Sequence, residues 1–375
     1  MQLMKKGTQF PGWWALSLLL FLPACSDGNP SGGEGREVNF YNWSDYIAPE
    51  TIPEFERTSG LKVHYDVFDS NDVLEGKLLA GSTGYDVVVP TGSFFAVQRE
   101  AGVFRNIDPG LLSNYRHLDP EILKRVERLD PGNRQAVPYM YGTTGLGYDR
   151  AKILARMPDA PLESWDLLFK PENAARFADC GIAILDAPDE LHWITMHYLG
   201  LDPESGIATE IERGMDVIAR IRPYVRYFHS SAYIDDLANG EICLALGWSG
   251  DVFQARKDAA EGIDIRYVIP KEGTIIWFDL LAIPFDAPHP GNAHRLIDFL
   301  LDPQVAAANS NAVWYPTPNL AALPMVAPEI RNDPMIYPTP EILARLMPDL
   351  PDPPRVVRIR NRAWVAVKTG QRILH

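Results

Sequence analysis

The stretch Val-Asn-Phe-Tyr-Asn-Trp-Ser-Asp-Tyr at residues 38–46 begins as an apolar strand and ends in aromatic and polar side chains. Short apolar runs and segments of helical character alternate after it, and glycines follow both helical segments. The predicted elements are a strand at Val38–Tyr41, a helix at Pro49–Thr58, a strand at Lys62–Val67, a helix at Asn71–Ala80 and a strand at Tyr85–Pro90. This alternation predicts parallel βαβ units with right-handed crossovers, and therefore an α/β fold.

A second α/β unit is predicted farther along the chain. Its elements are strands near Ile182–Leu185 and Ile242–Leu246, with helices near Leu191–Leu199 and Ala208–Ile221 between them. Two more strands are predicted at Ile265–Ile269 and Trp277–Ile283. Ala293, Leu296, Ile297 and Leu300 then follow the i, i+3, i+4, i+7 spacing of a helix that faces a core.

The order of these elements predicts two lobes that the chain joins twice. Lobe I is assigned to residues 37–140 and 273–308, and lobe II to residues 141–272 and 309–375. Loops and short helices are expected from Trp314 onward, because that part is rich in proline. Two α/β lobes joined in this way form a hinged cleft, and ligands of open α/β sheets bind beyond the carboxyl ends of the strands.

The N-terminus has the pattern of an export signal. Lys5 and Lys6 precede a short apolar run at residues 13–21, which is too short to remain as a membrane span. Residues 1–24 are therefore predicted to be a signal peptide.

A lipid anchor is the second expectation for this end of the chain. Leu22-Pro23-Ala24-Cys25 resembles a bacterial lipoprotein box, in which Cys25 would become the acylated first residue; plain cleavage nearby is the alternative. Residues 25–36 are rich in glycine and small polar residues, which predicts a flexible tether. The mature protein is thus expected in the periplasm, touching the membrane only through this lipid.

The chain is acidic. Its net charge is −14 over 375 residues, and it becomes −16 when the first 24 residues are removed with Lys5 and Lys6, their only charges. Such acidity argues against nucleic acid as a partner and suits a cationic one, although it also serves solubility alone. No Cys-x-x-Cys motif or histidine cluster is present, so neither a metal site nor a cofactor is predicted.

Three clusters place an indole close to a carboxylate. They are Tyr41-Asn42-Trp43-Ser44-Asp45-Tyr46, Trp248-Ser249-Gly250-Asp251 and Trp277-Phe278-Asp279, and each is expected at a strand terminus. An aromatic face attracts an ammonium group through its quadrupole, and a carboxylate pairs with its charge. Our hypothesis is that the three clusters converge on one cleft that binds a polyamine.

Cys180 and Cys243 are the remaining cysteines of the mature chain. In an oxidising compartment such a pair forms a disulfide, whereas otherwise the two residues serve as small buried hydrophobic side chains.

Several longer motifs point to one family. They are Asn-Trp-Ser-Asp-Tyr at 42–46, Val-Pro-Thr-Gly-Ser-Phe at 89–94, Leu-Asp-Ala-Pro-Asp-Glu at 185–190, Tyr-Phe-His-Ser-Ser at 227–231 and Gly-Trp-Ser-Gly-Asp at 247–251. From about Val38 to Gly370, the chain resembles the periplasmic putrescine-binding proteins of bacterial ABC polyamine importers. The resemblance implies a type II periplasmic-binding-protein fold with a hinged cleft between its lobes, a putrescine or spermidine ligand, and ABC permease subunits as partners of a monomer.

The resemblance also implies the residues of the site. The implied contacts are aromatic walls at Trp43, Trp248, Trp277 and Tyr315, carboxylates Asp251 and Asp279 for one ammonium, Asp45 and Glu190 nearer the other end, and polar contacts at Ser44, Tyr46, Ser93 and Ser230. Trp277 stands where the family is expected to have phenylalanine. The family pattern pairs Cys180 with Cys243.

Each of these residues also has a structural explanation. Trp43 at a strand end is compatible with a core position, and Asp251 is compatible with a helix N-cap. Glu190 suits the first turn of a helix, where the helix dipole favours a carboxylate, and Ser230 suits a cap or a turn. Outside the clusters, Trp165 and Trp364 are predicted to be core residues, and residues 355–360 to be a solvated surface element.

Two other functions share some of these sequence features. Gly-Trp-Ser-Gly-Asp at 247–251 lacks the last glycine of a nucleophile elbow, and residues 142–147 do not form a dinucleotide-binding turn, so we expect no enzyme. A sensor that reports polyamine to a membrane receptor would have the same binding site, and it stays open at this stage.

Overall fold

The computed structural model describes residues 35–371 and 373. The predicted signal peptide, Cys25 and all but the last two residues of the predicted tether lie outside the described residues. Within the described part, none of the helices is both long enough and apolar enough to cross a membrane.

The strands of the described residues form a mixed sheet. They are β1 (Glu37–Trp43), β2 (Lys62–Phe68), β3 (Val87–Val88), β4 (Ala136–Asp149), β5 (Ile182–Ile184), β6 (Tyr227–Phe228), β7 (Leu244–Trp248), β8 (Ile265–Val268), β9 (Thr274–Ala282) and β10 (Leu346–Pro348). Their order is β2-β1-β3-β9-β4-β7-β5-β6, with β10 beside β9 and β8 beside β4.

Helices cover the sheet and connect its strands. They are α1 (Thr51–Ser59), α2 (Asn71–Ala80), α3 (Gly92–Glu100), α4 (Pro120–Val126), α5 (Arg150–Arg156), α6 (Asp166–Phe169), α7 (Pro171–Ala174), α8 (Pro188–Tyr198), α9 (Ala208–Ile221), α10 (Tyr233–Ala238), α11 (Ser249–Lys257), α12 (Pro290–Leu300), α13 (Pro303–Val313), α14 (Pro328–Arg331), α15 (Pro340–Leu343) and α16 (Pro354–Thr369). Short 3₁₀ turns lie at Pro109–Leu111, Tyr115–His117, Ala175–Phe177, Arg222–Tyr224 and Leu323–Met325.

The predicted parallel units are confirmed in both parts of the chain. β1 pairs in parallel with β2 and β3, and β5 pairs in parallel with β6 and β7. Trp43 ends β1 beside Phe68, which ends β2, and Trp248 ends β7. The aromatic residues of the first two clusters therefore lie at the carboxyl ends of β1 and β7, which belong to different groups of parallel strands.

Two long antiparallel strands join the two groups of parallel strands. β4 pairs with β9 along its first half and with β7 and β8 along its second half. β9 continues the sheet to β3 through Ala282 and Val88. The assignment of residues to lobe I and lobe II stays a prediction.

The third cluster, Trp277-Phe278-Asp279, does not lie at a strand terminus as predicted. β9 begins at Thr274, so Trp277 and Asp279 lie in its middle rather than at its start. The buried residues Ile275 and Ile276 extend the strand towards its amino end, and β10 pairs with that extension.

The prediction of only loops and short helices after Trp314 is wrong. α16 has 16 residues and packs against α8 and α9, because Val356, Ile359 and Trp364 form a buried stripe at helical spacing. Residues 355–360 thus belong to the first part of an amphipathic helix, and Arg360 is buried rather than solvated.

Other core predictions are confirmed. Trp165 and Trp364 are buried, as are the four apolar residues of α12 named above. Cys180 and Cys243 form a disulfide whose Cα atoms lie 5.5 Å apart.

Candidate ligand-binding site

A cavity lies where β1, β2 and β7 end, with β9 beside it. Its empty volume is about 550 Å³, including the part open to solvent. We call it the main cavity. Its lining residues are Trp43, Ser44, Asp45, Tyr46, Phe68, Asp69, Asn71, Thr91, Glu190, Ser230, Ser231, Ile234, Trp248, Asp251, Trp277, Asp279 and Tyr315. The structure thus brings together every predicted contact except Ser93.

Two indoles meet at one side of the main cavity. The ring centroids of Trp43 and Trp248 are 5.8 Å apart in an edge-on arrangement, and the Trp43 ring also packs on Phe68 at 4.6 Å. Trp43 Nε1 donates a hydrogen bond to the carbonyl oxygen of Val89 at 2.8 Å, which fixes the plane of the ring. Trp43 is therefore part of the core and a wall of the cavity at once.

Hydrogen bonds connect two aromatic walls through Glu190. Trp248 Nε1 donates to Glu190 Oε1 at 2.8 Å, and the Thr144 hydroxyl donates to Glu190 Oε2. Trp277 Nε1 in turn donates to Thr144 Oγ1 at 3.2 Å. A phenylalanine at position 277 could not donate this hydrogen bond to Thr144. The Trp277 indole therefore fixes the orientation of the aromatic wall and also gives it a wider ring than phenylalanine would.

Glu190 lies in the first turn of α8, as the structural explanation predicted. Burial, followed by the neighbouring Asp189 carboxylate, raises the pKa of Glu190 well above its ordinary value, while its bonds to Thr144 and Trp248 act in the opposite direction. A cation in the main cavity would favour the charged form of this group.

Asp251 is held by two tyrosine hydroxyls. Tyr315 donates to Oδ1 and Tyr233 donates to Oδ2, both at 2.7 Å. Burial raises the pKa of Asp251 to about 6, and the two hydroxyls offset part of that rise. The proposed N-cap role is wrong, because α11 begins at Ser249 and Asp251 lies inside its first turn.

Asp279 is held by Thr91, with which it forms an isolated antiparallel bridge. The Thr91 hydroxyl donates to Asp279 Oδ1 at 2.7 Å. Burial raises the pKa of Asp279 to about 7, and the hydroxyls of Thr91 and Tyr46 beside it lower it. The Tyr46 hydroxyl is buried beside Asp279 and forms no hydrogen bond of good geometry with any described residue.

The remaining predicted contacts form the rim of the main cavity. Asp45 is exposed and has a left-handed backbone, with φ of 53°. The Ser44 amide donates to the carbonyl oxygen of Phe68 at 2.9 Å, and Ser230 Oγ accepts from the amide of Asp186 at 3.2 Å. These bonds hold the two sides of the opening in place.

Sequence reasoning missed six residues of the lining. They are Phe68, Asp69, Asn71, Thr91, Ser231 and Ile234. Phe68 ends β2 and Thr91 follows the strand segment that contains β3, so the rule that ligands bind at the carboxyl ends of parallel strands would have found both. Ser93, two residues farther on, faces a different cavity.

The chemistry of the main cavity is that of a cation site. Asp251 and Asp279 are 9% and 4% exposed, yet no ion pair of the described residues includes either of them. Burying a carboxylate without a counter-charge costs several kcal/mol or forces it to take up a proton. Aromatic walls around such carboxylates suit an organic ammonium ion.

The model of the bacterial extracellular solute-binding protein family matches residues 50–338. The chain belongs to this family. Among relatives of this solute-binding protein, the putrescine-binding periplasmic protein SpuD of Pseudomonas aeruginosa (strain UCBPP-PA14) is 45% identical, with 94% of this chain and 98% of the relative covered. The putrescine-binding periplasmic protein PotF of Escherichia coli (strain K12) is 48% identical, with 90% and 93% covered.

Solved structures agree with this assignment. The spermidine/putrescine ABC transporter substrate-binding protein PotD of Streptococcus pneumoniae superposes with a TM-score of 0.74 at 26% identity, covering 90% of this chain and 99% of that one. The fold of this solute-binding protein is thus the α/β type II periplasmic-binding-protein fold. The family and these relatives are transport-related binding proteins, not enzymes.

Proposed function

We propose that this solute-binding protein captures putrescine in the main cavity and delivers it to an ABC importer. The observation that carries the proposal is the pair of buried carboxylates, Asp251 and Asp279, which are hydrogen-bonded by neutral hydroxyls in a cavity walled by indoles. The putrescine-binding relatives support the same ligand. They do not favour the sensor that the sequence left open.

The walls of the main cavity match the chemistry of an alkyl diamine. Putrescine is an apolar chain with an ammonium at each end. Each methylene that the indoles bury contributes about 0.8 kcal/mol, and each desolvated ammonium over an aromatic face adds about 1–2 kcal/mol. After the cost of ordering the ligand, a dissociation constant near or below about 1 μM is expected, which corresponds to about 8 kcal/mol.

The two ends of the ligand would meet different groups. Asp251 and Asp279 form one carboxylate pair, and Tyr46 adds a hydroxyl there. The resemblance implies that Glu190 and Asp45, which also line the main cavity, meet the other ammonium. At least one ionised carboxylate per ammonium is required, because an unpaired charge in this setting is costly.

The cellular location and the partners of the protein are also part of the proposal. We expect a periplasmic monomer that meets the permease subunits of an ABC polyamine importer, since the relatives are periplasmic binding proteins. Acylation of Cys25 would keep the protein at the membrane surface.

The Asp279→Asn variant tests the main cavity. It removes one charge while leaving the shape of the side chain, so putrescine binding should weaken more than about tenfold, which is about 1.4 kcal/mol. Isothermal titration calorimetry of wild type and variant measures the difference.

Asp216→Asn is the matched control. Asp216 is half-buried on α9, pairs with Arg220 at 2.7 Å and lies outside the lining of the main cavity. Its loss should leave affinity unchanged. Equal affinities for Asp279→Asn and wild type would remove Asp279 from the site and leave the proposal without its main support.

A further inference from the structure

Trp314 combines two unfavourable features just outside the main cavity. It directly follows α13 and has a left-handed backbone, with φ of 61° and ψ of 23°. Residues with a bulky side chain rarely adopt this conformation, which glycine adopts freely. Its indole Nε1 is also buried and forms no hydrogen bond with the described residues. A strained backbone and an unpaired donor persist only where other contacts hold the residue in place.

The turn at Trp314 is fixed by Ser310, a buried residue one turn earlier in α13. The Trp314 amide donates to the carbonyl oxygen of Ser310 at 2.9 Å. The Ser310 hydroxyl donates to the carbonyl oxygen of Tyr315 at 2.6 Å. These two bonds set the direction in which the chain leaves α13, and so the position of Tyr315.

The ring of Trp314 packs against α11. It stacks on Phe253, with the ring centroids 6.1 Å apart and the planes 23° from parallel. The Arg256 guanidinium lies over the Trp314 ring at 5.3 Å from its centroid, and Arg256 also pairs with Asp333 at 3.7 Å. A guanidinium over an indole is a favourable cation–π contact. The side chain of Trp314 therefore fastens the end of α13 to α11.

The next residue, Tyr315, contacts the first turn of the same helix. Its hydroxyl donates to Asp251 Oδ1 at 2.7 Å and accepts from the Asp251 amide at 3.3 Å. Its ring lies against Gly250, where a Cβ would be 2.3–2.5 Å from three ring carbons. Trp314 and Tyr315 thus hold consecutive parts of α11, and the part nearer the amino end carries the carboxylate of the main cavity.

Tyr315 is also part of the aromatic wall. Its ring centroid lies 5.1 Å from that of Tyr46 and 5.5 Å from that of Trp277. A displacement of Tyr315 would therefore disturb both the wall and the hydrogen bond to Asp251. Trp314 itself is not among the lining residues of the main cavity.

We propose that Trp314 is a positioning residue for the ligand. By packing on Phe253 and Arg256, it holds the hydroxyl of Tyr315 on Asp251 and the ring of Tyr315 in the aromatic wall. The inference rests on the proposed function, because the affinity for putrescine is the property that Trp314 controls.

Calorimetric titration of the mature chain with putrescine tests this role. Wild type is compared with Trp314→Ala, Trp314→Phe, Tyr315→Phe and the double variant Trp314→Ala/Tyr315→Phe. Trp314→Ala should weaken binding at least about fivefold, whereas Trp314→Phe, which keeps a flat ring on Phe253, should stay within about twofold. Because both residues act on one hydrogen bond, the loss in the double variant should be at least about threefold smaller than the product of the two single losses.

Tyr85→Ala is the matched control. Tyr85 is a half-buried ring that stacks on Tyr41 at 4.5 Å, lies beneath Lys77 at 5.2 Å and does not line the main cavity. Its removal deletes the same kinds of contact at another place, so putrescine affinity should stay within about twofold of wild type. A weakening confined to Trp314→Ala then reports the position of Tyr315 rather than a general loosening of the fold.

Two results would overturn the inference. One is an unchanged putrescine affinity in a Trp314→Ala variant that circular dichroism shows to be folded. The other is a pair of single losses that simply multiply in the double variant, which would separate Trp314 from Tyr315. If Trp314→Ala does not fold, Trp314→Gly replaces it, since glycine keeps the left-handed turn without steric cost. Failure of the proposed function looks different, because wild type itself would then not bind putrescine.

Discussion

The position of the aromatic wall depends on Gly142, because glycine has no Cβ atom. It lies in β4 opposite Trp277, and a Cβ at this position would lie 2.5 Å from two carbon atoms of the Trp277 ring. Real carbon contacts do not approach so closely, so any side chain here must displace the indole. The glycine therefore sets the position of the wall and, through Thr144, of Glu190.

The Gly142→Ala variant is expected to bind putrescine at least about tenfold more weakly and to lose about 1–3 kcal/mol of stability, because overpacking shifts the ring and its hydrogen bonds. Calorimetry and urea unfolding measure the two effects. Gly76→Ala is the control: that glycine lies inside α2 with nothing within 4 Å of a new Cβ, so the change should stabilise the helix by about 0.5–1 kcal/mol and leave binding alone. Unaltered affinity in Gly142→Ala would mean that the ring position does not matter for the ligand.

Thr91 and Ser93 mark the limit of prediction for single residues. Both belong to the same short motif, and the resemblance assigned the contact to Ser93. The chain turns from the strand segment into α3 between them, so Thr91 lines the main cavity and Ser93 lines a different cavity. The motif alone does not separate two hydroxyls so close in sequence, whereas the position of Thr91 at the end of a strand segment points to it.

At the scale of elements, the disulfide joins two neighbouring parallel strands at their amino ends. Cys180 precedes β5 and Cys243 precedes β7, with 63 residues of sequence separation. Trp248 lies five residues farther along β7, which is about 16 Å for an extended strand. The bond thus constrains the sheet at the end remote from the main cavity.

Replacing both cysteines by serine should lower the free energy of unfolding by about 2–4 kcal/mol, since a loop of this length loses considerable entropy when it is closed in the unfolded chain. Urea unfolding under non-reducing conditions measures the loss, and wild type with reductant should unfold like the variant. Putrescine affinity should stay within about threefold, because the far ends of the strands carry the ligand contacts. A loss of binding with intact folding would show instead that the bond positions Trp248.

The elements themselves differed in how well the sequence predicted them. α9 was predicted at its observed bounds, because its apolar residues follow one clear stripe between polar ones. α16 was missed, since prolines surround its start and arginines interrupt its apolar stripe. Only the burial of Arg360 beside Asp352 explains why that stripe can contain a charge.

For the whole molecule, the buried acids link ligand binding to pH. Asp251 and Asp279, with pKa values raised to about 6 and about 7, are protonated in part near neutral pH when the cavity holds no cation. Because their pKa values in the folded protein lie above the unfolded ones, the stability they contribute without ligand is fully present at low pH and is lost as the pH rises through about 6 and about 7. A diammonium ligand reverses this, since it favours the ionised carboxylates.

Putrescine affinity should therefore fall as the pH falls, by about a hundredfold between about pH 7.5 and about pH 5.5 if both carboxylates must be ionised. Calorimetry in buffers of different ionisation enthalpy should also detect protons released on binding near pH 7. The Asp279→Asn variant retains only Asp251, so its putrescine affinity should depend less steeply on pH. Above about pH 6, where Asp251 is mostly ionised, that affinity should change little. An affinity that stays flat across this range in wild type would show that the cavity keeps both acids ionised without a ligand, and another cation would then have to occupy it.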